Sequence, residues 1–341
     1  MTEEELTFDV LIVGAGPSGL SAAIKLKQLA IKEDRVISIC VIEKSSTLGG
    51  HIVSGAIIDT TALSELFPNW KAEKCPIKNR VTNDEFYFFL NKSNSFKIPN
   101  FLIPKSLSNS GCYIASLSDV VKWLGSKAEE IGIEIFTGFA ATEPIYGHAG
   151  DVIGVKTGEF GRNRDGSNGK NYTPGIAIKA KFTIFAEGSR GQLGKILIEK
   201  YQLDKNSCSQ NYALGIKELW EIPTENSKPG TVIHSFGWPL HSGTYGGAFL
   251  YHMGNNRVSI GLIVGLNYKN PWLSPFQEFQ KLKTHPKILK NLQGGKRVGY
   301  GARSLTAGSL YSLPKYIFPG GALVGCNAGF LNSSRIKGSH S

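Results

Sequence analysis

An apolar run at residues 8–13 (FDVLIV) breaks into Gly14-Ala15-Gly16-Pro17-Ser18-Gly19, and the pattern then changes period. Leu20, Ala23, Ile24 and Lys27 recur at helical spacing over residues 20–29. A second apolar run, residues 36–42, ends at Glu43, with Lys44 next to it. Strand, glycine turn, helix and strand in this order leave few folds open. The first glycine permits a tight turn, the second lets a ligand approach the backbone, and the third lets the helix pack against the strand. The start of a helix offers N–H groups and a positive dipole end, which suit a pyrophosphate. A carboxylate at position 43, about two dozen residues further on, can accept both hydroxyls of a ribose.

Two later stretches repeat the exit of an apolar strand into glycine. They are Thr183-Ile184-Phe185-Ala186-Glu187-Gly188-Ser189-Arg190-Gly191 and Leu323-Val324-Gly325-Cys326-Asn327-Ala328-Gly329-Phe330. Their order and distance from the first motif favour FAD over NAD as the dinucleotide. Glu187 and Gly188 in one, and Gly325, Cys326, Ala328 and Gly329 in the other, are the candidate contacts. A fourth stretch, His51-Ile52-Val53-Ser54-Gly55-Ala56, is a loop of small residues after the ribose acid; alone, His51 reads as structural.

Between these motifs the chain reads as follows. Residues 62–70 are a short amphipathic stretch and 86–90 an aromatic one. Residues 117–131 are helical, and 133–136, 152–157 and 176–186 are strands. The polar, glycine- and asparagine-rich residues 158–175 read as an exposed loop. A β-rich region begins near residue 210, with runs at 231–236, 245–251 and 257–264. A helix then starts at Ser274, with Pro275 at its first position and Gln277 placed for a capping box.

The formal charge is +11, but the cations are dispersed and form no basic arm. Nucleic acid is therefore not expected, and an acidic lipid surface or acidic protein is preferred. The five cysteines are widely spaced and lack a CxxC pair, which argues against a disulfide framework or a metal site within the chain. No signal or transit peptide and no apolar run of about 20 residues is evident. That favours a bacterial source.

Taken together, residues 14–29 (GAGPSGLSAAIKLKQL), 50–56 (GHIVSGA), 65–70 (ELFPNW), 215–220 (GIKELW), 237–240 (GWPL), 244–252 (TYGGAFLYH), 268–285 (YKNPWLSPFQEFQKLKTH), 299–303 (GYGAR) and 318–340 resemble the electron-transfer flavoprotein–ubiquinone oxidoreductase family. The likeness spans essentially the whole chain. It implies an α/β, glutathione-reductase-like FAD-binding fold of the Rossmann type, with an inserted, mostly antiparallel mixed sheet for quinone. The expected division is a FAD domain over 1–210, a quinone region over 211–310 and a return to the FAD domain over 311–341.

The resemblance assigns cofactor contacts to Gly14, Gly16, Pro17, Ser18, Gly19, Glu43, Lys44, His51, Ser54, Gly55, Glu187, Gly188, Gly325, Cys326, Ala328, Gly329 and Ser341, the last as a polar donor near the flavin pyrimidine. It assigns quinone contacts to Tyr245, Gly246 and Gly247, and names no acid–base pair. It makes 57–78 a membrane-surface segment, whose Leu63, Leu66, Phe67 and Trp70 share one helical face; the lesser alternative is that this face packs on the protein's own core. It also implies a C-terminal 4Fe-4S domain whose ligands lie outside this chain, which is then a fragment. The implied partners are electron-transfer flavoprotein, ubiquinone and the inner membrane, at its cytoplasmic face in bacteria or its matrix face in mitochondria. The alternatives are an NAD(P)H-dependent flavoenzyme of the geranylgeranyl reductase or aromatic monooxygenase type, and an inactive FAD-binding fragment.

Overall fold

The computed structural model describes residues 5–53 and 55–332, so Ser54 and Ser341 lie outside the described residues. The chain divides into two units. The first comprises residues 1–51, 121–208 and 311–330, and the second 52–120, 209–310 and 331–341.

The first unit is built on a parallel sheet. Its strands run Gly321–Leu323, Ala177–Phe185, Glu5–Val13, Ile39–Glu43 and Glu134–Thr137 across the sheet. Neighbours in this series are all parallel. Leu11, Ile12, Cys40, Val41 and Phe185 are fully buried, as continuous apolar strands must be when both faces are covered. The helix Pro17–Lys32 buries Leu20, Ala23 and Ile24, on the stripe expected from the sequence. Val152–Thr157 joins Ala177–Phe185 in antiparallel fashion and continues to Ala141–Tyr146.

The second unit holds a seven-stranded sheet in the order Lys296–Thr306, Tyr212–Glu221, Arg257–Gly265, Gly246–Gly254, Thr231–Gly237, Asn83–Phe89 and Ser95–Ile98. Every pairing is antiparallel except Thr231–Gly237 with Asn83–Phe89. That parallel pair draws the chain before residue 120 into the second unit, so the division differs from an unbroken domain over 1–210. The helices Pro275–Thr284 and Pro286–Leu292 bury Phe279, Leu282, Ile288 and Leu292 in one apolar cluster with Leu250, Ile260 and Leu262. Ser274 caps the first of them, its Oγ accepting from Gln277 N at 3.4 Å. A second cluster, containing Ile57, Ile114, Val232, Phe249 and Tyr251, forms with residues of the small sheet Ala56–Ile58, Tyr113–Ala115 and Asn79–Arg80.

Two expectations change. Residues 158–175 are not a plain loop: Phe160–Arg162 and Asn168–Thr173 pair as an antiparallel hairpin. Its side chains are mostly polar and exposed, and Arg162 and Tyr172 both bond to Glu159, with the guanidinium over the Tyr172 ring. The apolar face proposed for the 57–78 segment is buried at two of its four positions, while Leu63 and Phe67 stay half-buried. The helix is only Thr61–Leu66, since Pro68 cannot continue it. Leu66 and Trp70 are buried. Trp70 meets Tyr113 edge-to-face at 5.7 Å, and its indole N–H donates to Ser64 Oγ at 3.1 Å.

Candidate functional site

In the first unit, parallel pairing brings the ends of four strands to one edge. Val13 lies beside both Ile42 and Phe185, and Phe185 lies beside Leu323. The segments that leave these residues are those singled out by their glycines. An edge where connections diverge from a parallel sheet is the usual place for a nucleotide.

The first turn is fixed by backbone. Gly14 N donates to Ile42 O at 2.8 Å, and Ala186 N donates to Val13 O at 2.8 Å. Gly14 has φ +108°, and a Cβ there would stand 2.6 Å from Ala186 O. Gly19 has no room either, since its Cβ would lie 2.0 Å from Gly14 O. Gly16 differs: a Cβ there would meet nothing within 4 Å. Gly16 is also the N-cap, with Pro17 at the first helical position and no side chain capping the helix. Pro17 and Ser18 are half-buried at this opening. Two glycines thus serve packing, and the middle one faces open space beside a helix start. That cradle fits a pyrophosphate.

Glu43 is tied to the same turn. One carboxylate oxygen accepts from Ala15 N at 3.0 Å and the other from Ser45 N at 2.9 Å. Each oxygen has a further lone pair, so the carboxylate orders the turn and can still accept ribose hydroxyls. Lys44 and His51 are exposed.

At the next strand end Glu187 has a task not foreseen from sequence. It accepts from Leu193 N at 3.1 Å and Gly194 N at 2.7 Å, which caps the helix Gln192–Lys200. Gly188 has φ +94° and open space where a side chain would stand. At the third end Gly325 has φ +60°, and a Cβ there would lie 2.5 Å from Ser18 Oγ. The last glycine-rich stretch therefore packs directly on the first. Cys326 and Gly329 are half-buried and Ala328 is fully buried.

Sequence reasoning missed Asn327. Its buried amide donates to Phe185 O at 3.3 Å and reaches Glu187 at 3.5 Å. It links the second and third strand ends. An asparagine inside a glycine-rich turn was the available signal, since its short amide bonds nearby backbone.

In the second unit Tyr245, Gly246 and Gly247 open the strand Gly246–Gly254. Tyr245 is 54% exposed, and the glycines are half-buried. A Cβ on Gly247 would stand 2.9 Å from Ser235 O, and one on Gly246 2.2 Å from Ile263 O. Both glycines are thus required by close backbone approach. Gly55 has φ +103°, and a Cβ there would collide with Ser259. Its carbonyl accepts from Lys217 Nζ at 2.9 Å. Burial pushes that lysine down to about 8.

Five strands of the same seven-stranded sheet fall within a described family. The model for the ubiquinone-binding part of electron transfer flavoprotein–ubiquinone oxidoreductase matches residues 212–305, and one for an NAD(P)-binding Rossmann-like domain matches 12–69. The electron transfer flavoprotein–ubiquinone oxidoreductase of Pseudomonas aeruginosa is 51% identical over the whole of this chain. Over its whole length the chain is similar to electron transfer flavoprotein–ubiquinone oxidoreductases.

The human mitochondrial member is 47% identical over 97% of the chain. The chain spans 62% of the length of the Pseudomonas protein and 54% of the human one. Among solved structures, a geranylgeranyl bacteriochlorophyll reductase-like protein from Thermoplasma acidophilum superposes with a TM-score of 0.71, at 18% identity, over 99% of this chain and 76% of that one. A flavin-dependent brominase gives 0.63 at 15% identity, over 98% and 75%. At such identities the likeness is one of fold: an α/β Rossmann-type architecture with an added β-sheet region.

Proposed function

We propose that this chain carries the flavin- and quinone-binding parts of an oxidoreductase that takes electrons from reduced electron-transfer flavoprotein and passes them to ubiquinone. The observation that carries the reading is the convergence of three glycine-rich strand ends and Glu43 on one sheet edge, in a chain whose other unit matches the ubiquinone-binding family over 212–305. The open cradle at Gly16 and the space at Gly188 fit the ADP half of FAD. When bound, FAD supplies the redox chemistry, storing two electrons and releasing them singly.

The chain's own residues bind and orient. The N–H groups at the start of the helix Pro17–Lys32 face the pyrophosphate, and Glu43 holds the ribose. Gly188, Gly325, Cys326, Ala328 and Gly329 give backbone access along the rest of the cofactor, while Glu187 and Asn327 keep those turns in place. Lys44, His51, Ser54, Gly55, Glu187 and Ser341 complete the proposed FAD set, and Tyr245, Gly246 and Gly247 bind the quinone head.

The residues described do not fit an iron–sulfur cluster. Cys40, Cys75 and Cys112 are buried, and no group of three metal-ligating side chains occurs among the described residues. No step is routed through one.

No helix among the described residues is long and apolar enough to cross a membrane. Contact with the inner membrane surface remains part of the proposal, at the cytoplasmic face in bacteria or the matrix face in mitochondria. It finds no support in the 57–78 face, which is turned inward at Leu66 and Trp70.

Anaerobic mixing tests the function. Flavin absorbance near 450 nm should bleach with reduced electron-transfer flavoprotein and return on adding a short-chain ubiquinone. Bleaching by NADPH alone would favour a reductase or monooxygenase instead. A colourless, aggregating product would leave the activity to a longer chain.

A further inference from the structure

The strand Tyr212–Glu221 carries one cation that the proposed function leaves unused. Pairing register places Gly301, Lys217, Gly261 and Phe249 side by side on four adjacent strands, so they share one face of the sheet. The next row on that face contains Arg303, Gly215, Ile263 and Gly247. Gly247, a proposed quinone contact, stands about 6.8 Å from Phe249 along its strand.

Four of these eight positions are glycine, so the sheet presents little side chain beside Lys217. Phe249 and Val53 fill part of the space, and a Cβ on Gly301 would meet the Val53 side chain at 2.2 Å. A Cβ on Gly261 would meet the Phe249 ring at 2.4 Å, and the Lys217 ammonium lies 5.4 Å from the ring centroid. Among the described residues, the ammonium donates one hydrogen bond, to Gly55 O at 2.9 Å. Two of its three N–H groups remain available. Lys217 keeps part of its surface accessible although the amine lies deep in the unit.

Among the described residues, no carboxylate pairs with this charge. Gly301 with Val53 packed over it, Gly261, Phe249 and Gly55 lie around it, and none is ionisable. Arg303, one row away, is exposed. Tyr251, two residues beyond Phe249, is buried, and burial keeps its phenol protonated. Glu218 points to the opposite face, where Lys283 and Arg297 pair with it. A buried cation without a counter-charge costs stability. A ligand that carries negative charge would offset that cost.

We propose that Lys217 is the fixed positive charge of the quinone site, held in place by the Gly55 carbonyl and acting on the oxygen that becomes negative as a quinone head is reduced. The proposal rests on the quinone reading of this unit given above. Quinone becomes quinol by gaining two electrons, delivered from the flavin, and two protons, drawn from solvent. Negative charge that reaches an oxygen before its proton is stabilised by a preorganised cation in a site of low dielectric. Lys217 is charged for this task below pH about 8 and neutral above it.

The test uses the FAD-loaded chain as wild type, Lys217→Met and Lys217→Arg. Direct binding is measured from pH 6 to 10 for two probes. One is a hydroxynaphthoquinone that is anionic throughout that range, and the other is a neutral short-chain ubiquinone. For wild type, the dissociation constant of the anion should rise above pH 8, approaching ~tenfold per pH unit. Lys217→Met should bind the anion weakly at every pH. Lys217→Arg should restore tight binding with a flat profile. The neutral probe should not distinguish the three proteins.

Equal binding of the anion by wild type and Lys217→Met, with a flat wild-type profile, overturns the proposal. So does a parallel loss of both probes, which would mean that Lys217 only shapes the site. If wild type retains its flavin but binds neither probe, the quinone reading itself falls. Should Lys217→Met lose its flavin, the wild-type pH series and Lys217→Arg still decide the matter.

Discussion

Substituting alanine at Gly16 and at Gly19 separates the packing glycine from the ligand glycine. At Gly19 the new Cβ would lie 2.0 Å from Gly14 O and 3.2 Å from the Ala186 Cβ. Neither neighbour can swing away, so the helix must move by more than an ångström. Overpacking of this kind costs ~1–3 kcal/mol or more, offset in part by ~1 kcal/mol of better helix propensity. At Gly16 the backbone sits at φ −77° and ψ −179°, which alanine adopts freely, and nothing lies within 4 Å of the added carbon. A weaker N-cap and a less flexible unfolded chain act in opposite directions, each below ~1 kcal/mol. The apoprotein of Gly16→Ala should therefore melt within ~4 °C of wild type. The methyl group occupies the space offered to the pyrophosphate. Loss of one charge-assisted hydrogen bond, ~1.5–3 kcal/mol, weakens FAD binding by ~10- to 150-fold. Thermal melts of apoprotein and quenching of flavin fluorescence on reconstitution measure the two effects separately. FAD binding by Gly16→Ala within twofold of wild type would refute the reasoning, because the cofactor could not then pass close to that carbon.

Trp70→Ala should lower unfolding stability by ~3–5 kcal/mol in buffer without lipid, since a buried ring and its contact with Tyr113 are lost; an unchanged melting curve would return Trp70 to the membrane. Glu218→Gln leaves Lys283 and Arg297 without their buried counter-charge, and urea unfolding should show a loss of ~3 kcal/mol. Burial pushes the Cys40 thiol up to about 12, whereas Cys208 is exposed. An aromatic disulfide reagent at pH 8 should modify Cys208 in the folded protein and Cys40 only after unfolding. Lys217 supplies a pH signature of stability. Its folded value, about 8, lies below the ordinary 10.5, so the unfolded chain holds more protons between those limits. Stability should rise with pH from about 8 to 10.5 by at most ~1.4 kcal/mol per unit, and Lys217→Met should remove that slope.

What could be read from the chain was whatever neighbouring residues settle among themselves. The strand–glycine turn–helix at 5–32 was legible because a run of apolar residues, a positive φ at Gly14 and a proline at the first helical position are local requirements. The Ser274 cap and the strands Thr231–Gly237, Gly246–Gly254 and Arg257–Gly265 were legible for the same reason, whereas Tyr212–Glu221 and Lys296–Thr306 were not singled out as strands. The hairpin within 158–175 was hidden, because its backbone pairing leaves no apolar alternation.

Sequence by itself determined the fold class, the dinucleotide turn and the resemblance to a quinone-reducing family. Tertiary structure decided the role of each side chain. Glu187 caps a helix six residues on, Asn327 joins two strand ends, and Trp70 turns inward. Lys217 meets Phe249 only because Gly261, on the strand between them, has no side chain. Backbone preference is written within a few residues, whereas burial and partnership depend on register between strands far apart in the chain.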